Sequence, residues 1–226
     1  MKKRAEDPAG TPSSTDRLRE VYGRQFRELT ALRRHIFSLL PLNTISTIFE
    51  PGCGSGLLGR ELRNLTNARY TGMDIDRNIL PVEDGFVHGD TLRYPPPADL
   101  YVTSFFFSSI NRPTPWLRKV RRALPSGGLF ALFGDYDYQR IGEHPDVGLA
   151  KSIRESLEKE GLSTTHGGML DGFFRNAGFT KLHGGDVRSE PAPPDGEFLE
   201  MHLDRLPETL PTMTWRIVWG IWRTGT

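Results

Sequence analysis

The feature that most constrains this chain is a glycine-rich turn, IFEPGCGSG at residues 48–56. The residues before it, 44–50, are typical of a buried strand, and those after it, 56–65, are typical of a helix. Glycines allow a tight turn and leave no Cβ between the backbone and a ligand. The helix N-terminus presents free amide N–H groups and a partial positive charge. The segment therefore predicts an α/β fold with a loop for an anionic or carboxylate-bearing ligand.

Predicted strands and helices alternate after this turn. Further strands are predicted at 69–75, 85–90, 99–107, 129–135, 181–190 and 215–222, and further helices at 113–124, 146–160 and 167–179. This alternation predicts a mostly parallel sheet covered by helices on both faces. Apolar side chains recur at spacings of three and four within 16–40, which predicts a helical cap, whereas 1–15 is polar and is expected to be a flexible tail. We expect one domain over 16–226.

The composition narrows the classes of partner. Lys and Arg total 29 against 28 Asp and Glu, so the chain lacks the basic excess that is typical of nucleic-acid-binding proteins. No apolar run approaches the roughly 18 residues of a membrane-spanning helix, and none follows the basic start as in a signal peptide. A single cysteine, Cys53, excludes an internal disulfide and suits a reducing compartment. We therefore expect a cytoplasmic protein that binds neither nucleic acid nor a membrane.

Two acidic residues follow neighbouring predicted strands. Asp74 ends the second strand, 22 residues after Gly52, and Asp90 ends the third. Adjacent parallel strands bring their carboxyl ends to one edge of the sheet, so both carboxylates should lie beside the glycine turn. The first could accept hydrogen bonds from both hydroxyls of a ribose, and the second from an adenine amino group. Together these positions predict an adenosine cleft.

These residues resemble the motifs of the class I S-adenosylmethionine-dependent methyltransferases. The matching segments are EPGCGSG at 50–56, GMDID at 72–76, GD at 89–90 and LPSGGLFAL at 124–132. The resemblance implies a three-layer αβα sandwich whose seven-stranded sheet has the order 3-2-1-4-5-7-6. The seventh strand, at 215–222, would be antiparallel. It also implies S-adenosylmethionine as the methyl donor and S-adenosylhomocysteine as the product.

The resemblance also implies which residues bind the cofactor. These are Glu50, Gly52, Gly54 and Gly56 in the loop, Asp74 at the ribose with Ile75 after it, Asp90 at adenine with Thr91 and Leu92 beside the ring, and Ser104 after the fourth strand. In relatives an N-terminal helix folds over the cofactor, where Tyr22, Arg24 or Arg27 would reach the methionine carboxylate; a solvated arginine face is the alternative. The chain departs from the family between Asp76 and Phe86, where nine residues leave room for a loop or a single turn rather than a helix.

Other functions are compatible with the same pattern. Gly54, Gly56 and Gly59 also satisfy G-x-G-x-x-G, with Asp74 20 residues after the first of them, as in a nicotinamide dinucleotide site. Glu50-Pro51 before the glycines and the Gly-Asp after the third strand favour the methyl donor. A protein that binds the donor without transferring its methyl group is a further alternative, because a fold does not fix a function.

The acceptor is expected to lie beyond the fourth and fifth strands, at 103–109 and 134–138, and to be a small molecule methylated at oxygen or nitrogen. No Asn/Asp-Pro-Pro-Tyr segment follows the fourth strand, which disfavours methylation of a nucleic-acid base. His166, which precedes two glycines, is the preferred general base, ahead of the other candidates His144, His183, Asp135 and Tyr136. Cys53 precedes a helix N-terminus, which is expected to lower its pKa, and the residue is expected to fill space rather than to react. No cluster has metal-ligand spacing, so no metal is expected.

Overall fold

The computed structural model describes residues 14–203 and 206–225, so residues 1–13 of the predicted tail lie outside the described residues. The strands are β1 (Thr47–Pro51), β2 (Arg69–Asp74), β3 (Phe86–His88), β4 (Leu100–Thr103), β5 (Leu129–Tyr136), β6 (Gly142–His144), β7 (Phe179–Arg188), β8 (Thr212–Thr214) and β9 (Arg216–Thr224). The helices are α1 (Ser14–Glu28), α2 (Thr30–Leu39), α3 (Leu57–Leu65), α4 (Pro113–Ala123), α5 (Leu149–Lys159), α6 (His166–Asn176) and α7 (Gly196–His202).

Seven of these strands form one sheet in the order β3-β2-β1-β4-β5-β9-β7. The first five strands, β1 to β5, are parallel to one another, whereas β9 is antiparallel to both β5 and β7. Counted along this sheet, the order is the 3-2-1-4-5-7-6 that the resemblance implied, with the seventh strand antiparallel. The prediction of an α/β sandwich is confirmed.

The register of the parallel strands fixes the position of the site. Pro51 of β1 lies opposite Met73 of β2, and Asp74 lies opposite His88 of β3. Because β1, β2 and β3 run in the same direction, the glycine turn and Asp74 leave the sheet at one edge. One helical layer, with α2 and α3, packs on one face, and α4 and α6 pack on the other.

The predicted helical cap is two helices rather than one. α1 ends at Glu28 and α2 begins at Thr30, with a turn at Leu29, whose side chain is buried. The Arg33 guanidinium, itself buried, donates to the carbonyl oxygen of Phe26 across this break. The chain bends here because Leu29 belongs to the core shared with the sheet. The connection between β2 and β3 contains no helix, as its length predicted.

A small lobe formed by β6, α5, α7 and β8 packs beside the carboxyl edge of the sheet, and α7 and the short β6–β8 pair were not predicted. Its core consists of buried apolar side chains including Leu149, Ile153, Leu157, Leu199 and Met213. We call it the α5–α7 lobe. Arg24 of α1 holds it in place, because its guanidinium pairs with the carboxylates of Asp195 and Glu197 at the start of α7.

Candidate functional site

A cavity of about 500 Å³ lies between the glycine turn, helix α1 and the α5–α7 lobe. The sheet edge contributes Glu50, Gly52, Gly54 and Asp74, and the lobe contributes Phe198 among others. We call it the first cavity. Its volume is in the range of small-molecule sites, and the combination of apolar walls with a few converging polar groups is typical of them.

The glycines of the turn occupy conformations that other residues avoid. Gly52, Gly54 and Gly56 have φ values of 65°, 51° and 75°. A Cβ on Gly52 would lie 2.3 Å from Phe106 Cδ2, and one on Gly54 would lie 3.2 Å from Tyr22 Cε2. Left-handed backbone and close side chains both require glycine here. The turn therefore presents bare backbone toward the cavity.

The Asp74 carboxylate closes the turn against β2. Its Oδ2 accepts a hydrogen bond of 2.8 Å from the Gly54 N–H, and its Oδ1 accepts one of 2.9 Å from the Asp76 N–H. A carboxylate oxygen can accept more than one hydrogen bond, so acceptor capacity remains for a ligand. Tyr22 of α1 lies near this carboxylate. Burial, followed by the charges of Asp74 and Asp76, raises the pKa of Tyr22 to about 12.

Glu50 is buried below the turn, with 3% of its surface exposed. The Tyr70 hydroxyl donates a hydrogen bond to its Oε2. Burial raises the pKa of Glu50 to about 8, and the charge of Asp74 adds to the effect while the Tyr70 hydrogen bond opposes it. In the ligand-free protein at neutral pH this carboxyl group therefore holds its proton.

The pKa of Cys53 was predicted to be lowered, and this prediction was wrong. The thiol is buried, with 6% exposure, and burial together with the charges of Glu50 and Asp74 raises its pKa. Burial and the two nearby carboxyl groups each raise the pKa of the thiol, and together they outweigh the lowering expected from the adjacent helix N-terminus. Cys53 therefore fills space as a neutral thiol.

The segment after β4 forms a second wall of the first cavity through Ser104, Phe105 and Phe106. Phe105 has a φ of 51°, which is strained for a residue with a side chain, and its N–H donates to the Gly134 carbonyl at 2.7 Å. The buried Asp135 carboxylate accepts from the Phe107 N–H at 2.8 Å. Burial raises the pKa of Asp135 to about 7, against three backbone hydrogen bonds that lower it. The carboxyl group of Asp135, one of the candidate bases, is therefore hydrogen-bonded to the backbone of the segment after β4.

The structure brings together seven of the predicted cofactor residues, which line the first cavity: Tyr22, Glu50, Gly52, Gly54, Asp74, Ile75 and Ser104. Four others lie outside that lining: Gly56, Asp90, Thr91 and Leu92. Asp90 accepts from the Leu92 N–H at 3.0 Å, and its other oxygen lies 3.3 Å from Arg93 Nε. Thr91 is buried, and its carbonyl accepts from the Trp116 indole N–H.

The preferred base, His166, also lies outside this lining. It begins α6, its Nδ1 lies 3.0 Å from the Phe107 carbonyl oxygen, and its ring packs edge-on against Phe173. His144 lies in β6, opposite Thr212, and His183 is exposed on β7. Tyr136 is the remaining candidate, and it does line the cavity.

The sequence reasoning missed the lobe side of the first cavity, which includes Leu157, Glu160, Phe198, Met201 and His202. The sequence does contain a signal for helix α7, but that signal is short. Asp195 accepts from the N–H groups of Glu197 and Phe198 as a helix cap, and apolar residues follow it at helical spacing. Seven residues after a proline-rich segment carry too little periodicity to predict a helix.

A second cavity of about 910 Å³ lies on the other side of α1, against the ends of β5, β7 and β9. Its aromatic lining consists of Tyr136, Phe198, Trp215 and Trp219. The two cavities adjoin, because they share five lining residues: Val21, Gln25, Leu29, Tyr136 and Phe198.

A family model described as a methyltransferase domain matches residues 49–132, which run from β1 through β5. The match covers 84 of the chain's 226 residues, and over these residues the chain is similar to a methyltransferase domain. No curated protein matches the chain.

Solved structures of methyltransferases and of one cyclase share the fold. An S-adenosylmethionine-dependent methyltransferase from Mesorhizobium loti is 20% identical with a TM-score of 0.54, over 84% of this chain and 96% of that one. Human N-acetylserotonin methyltransferase, solved in complex with S-adenosylmethionine, is 16% identical with a TM-score of 0.50, over 96% of this chain and 61% of that one. The [4+2]-cyclase SpnF is 15% identical with a TM-score of 0.56, over 87% of this chain and 81% of that one.

The first cavity has groups that suit S-adenosylmethionine, the cofactor that the sequence predicts. It offers bare backbone at Gly52 and Gly54, a carboxylate at Asp74 and apolar walls. Among residues 14–203 and 206–225, no group of three His, Cys, Asp or Glu side chains is arranged to hold a metal ion. Within the same residues, none of the helices combines the length and the apolar character needed to cross a membrane.

Proposed function

We propose that this methyltransferase domain transfers a methyl group from S-adenosylmethionine to an oxygen or nitrogen atom of a small molecule. The observation that carries the proposal is the pair of cavities that meet at Gln25 and Tyr136. The first has the polar groups for a nucleoside, and the second is large and aromatic. An acceptor that reaches from the second cavity into the first where the two adjoin would bring its reacting atom into contact with the methyl carbon of the donor.

The cofactor residues are assigned by their places in the first cavity. Asp74 would accept from the ribose hydroxyls, and Ile75, which is 70% exposed, would cover one side of the base. Gly52 and Gly54 would let the cofactor lie against backbone, and Tyr22 would cover it from α1. When bound, S-adenosylmethionine supplies a methyl carbon that the adjacent sulfonium activates for in-line displacement.

The acceptor is assigned to the second cavity. Its aromatic side chains suit a planar or partly apolar molecule of the size that about 910 Å³ holds. This protein's own contribution is to orient that molecule and to exclude water. Asp90, Thr91, Leu92 and Gly56 stay predictions, with Asp90 assigned to the adenine amino group at the rim.

Calorimetry and a turnover assay test the proposal. S-adenosylhomocysteine is expected to bind and NAD is not, and labelled donor is expected to methylate at least one member of a panel of phenols, carboxylic acids and amines. If NAD binds and S-adenosylhomocysteine does not, the assignment of S-adenosylmethionine as the cofactor is wrong. Binding of S-adenosylhomocysteine with no turnover across the panel would favour a protein that holds the donor without transferring its methyl group.

A pair of tryptophan substitutions on α2 tests the second cavity. Ala31 is exposed and lines this cavity, whereas Arg34 is exposed and does not. Ala31→Trp is expected to raise the KM of the acceptor about tenfold or more, since a bulky ring would occupy its space, and to leave the affinity for S-adenosylhomocysteine unchanged. Arg34→Trp should change neither. Equal effects of the two variants on acceptor KM would refute the assignment.

A further inference from the structure

His202 and Glu160 form a pair at the lobe side of the first cavity. The two side chains line that cavity together with Met201 and Phe198. His202 is the last residue of α7, and Glu160 follows the last turn of α5. The His202 side chain is 12% exposed and that of Glu160 is 42% exposed, so the imidazole is largely enclosed while its partner reaches solvent.

The geometry of the pair fixes the tautomer of the imidazole. His202 Nδ1 lies 2.8 Å from Glu160 Oε1. A carboxylate only accepts, so Nδ1 carries the hydrogen of this bond and Nε2 of the neutral ring carries a lone pair. A carboxylate that holds the Nδ1–H of a histidine and frees its Nε2 is the arrangement that general bases use.

The pair is held by contacts on both helices. The Ser156 hydroxyl on α5 donates to the His202 carbonyl oxygen, and the Phe198 ring lies 4.7 Å from the imidazole centroid. Leu157 and Leu199 anchor the two helices in the lobe core. The other titratable side chains lining this cavity among the described residues are Tyr22, Arg33, Glu50, Cys53, Asp74, Tyr136 and Tyr138.

We propose that His202, positioned by Glu160, is the general base for an acceptor that loses a proton on methylation and that reaches the first cavity from the second beside Phe198, which lines both. This inference rests on the proposed function, and it narrows the acceptor to one with an O–H or N–H group. His202 Nε2 takes the proton, and the electron pair of the acceptor atom forms the new bond to the methyl carbon. The electrons of the broken S–C bond stay on sulfur, which becomes a neutral thioether. The Glu160 carboxylate stabilises the imidazolium through Nδ1–H, and Nε2 loses its proton to solvent after the products leave.

A structural staple between α5 and α7 is the competing explanation, and it makes no demand on where Nε2 points. A base must face the donor, so the imidazole must sense the positive charge of the sulfonium. S-adenosylmethionine carries this charge and S-adenosylhomocysteine does not. The two complexes therefore offer a comparison that is independent of any acceptor.

The first experiment compares the ¹⁵N NMR signals of the histidine rings in the two complexes. The ring signals of His202 are expected to differ between the S-adenosylmethionine and S-adenosylhomocysteine complexes, because a unit charge within about 10 Å acts on an imidazole in a partly solvated cavity. The signals of His183, exposed on β7, serve as the control and should be identical in both. Identical His202 signals in the two complexes would overturn the proposal.

The second experiment measures turnover with a proton-bearing acceptor found in the panel. His202→Gln is expected to lower kcat about 100-fold and Glu160→Gln about tenfold, with S-adenosylhomocysteine affinity retained and the rise of kcat with pH lost in His202→Gln. Glu200→Gln, exposed on α7, is the matched control and should behave as the wild type. An unchanged kcat in His202→Gln would refute the role of His202 as the general base. A wild type that binds both nucleosides but methylates nothing counts against the proposed function, and the NMR comparison then decides this inference alone.

Discussion

Replacing Glu50 with glutamine is expected to change how the stability of the ligand-free protein depends on pH. Burial raises the pKa of Glu50 from 4.5 to about 8, so the folded protein keeps a proton that the unfolded chain has already lost. Between these values unfolding releases that proton, and rising pH therefore favours the unfolded state. Glutamine has no such proton, and its amide oxygen can still accept from the Tyr70 hydroxyl.

The size of the effect follows from the shift. Each pH unit inside the window lowers the free energy of unfolding of the wild type by about 1.4 kcal/mol relative to the variant. From pH 5.5 to 7.5 the difference between the two proteins is therefore expected to change by about 3 kcal/mol in favour of Glu50→Gln. A constant penalty for the new amide would displace both values equally and leave this change intact.

Urea unfolding of the two proteins at both pH values, without cofactor, provides the measurement. The exposed carboxylate of Glu208 is the control, because Glu208→Gln should track the wild type at each pH. If the difference between wild type and Glu50→Gln is the same at pH 5.5 and 7.5, the buried carboxyl group is not protonated in the folded protein. The account of Glu50 would then be wrong.

Three further substitutions test separate contacts. Asp74→Ala is expected to weaken S-adenosylhomocysteine binding by about 1–3 kcal/mol in calorimetry, and unchanged affinity would mean that the ribose contact is misplaced. Gly52→Ala is expected to weaken it at least tenfold, because the new Cβ meets Phe106 at 2.3 Å and φ is 65°; Gly172→Ala in α6, where a Cβ meets nothing within 4 Å, should bind normally and unfold at a slightly higher temperature. Arg24→Ala is expected to lower stability by about 1–2 kcal/mol and to increase hydrogen exchange in α7, and exchange confined to α1 would contradict its role in holding the lobe.

The sheet and the glycine turn were predictable because each depends on local signals. Strand–turn–helix order places residues 48–56, and the parallel direction of β1 and β2 brings Asp74 to the turn. The φ values of Gly52 and Gly54 are the conformations for which glycine was expected. Those parts of the site are determined by short segments and by one rule of topology.

The lobe and its contribution to the cavity were not predictable for a physical reason. His202 and Glu160 are 42 residues apart, and their contact depends on how α5 and α7 pack in the lobe core. The Cys53 pKa was predicted in the wrong direction because helix position can be deduced from sequence, whereas burial beside Glu50 depends on the folded core. Long-range packing decides both, and no local pattern encodes it.

The position of β9 within the sheet has a consequence for how the chain is made. β9 follows every other strand in the sequence, yet it lies between β5 and β7, and it is the partner to which β7 pairs in the sheet. During translation β7 therefore leaves the ribosome with both of its edges open, and it stays so until residues 216–224 have been synthesised. A premature stop shortly before β9 would remove two strands from the sheet rather than one, and it would leave an exposed edge next to β5 that invites aggregation.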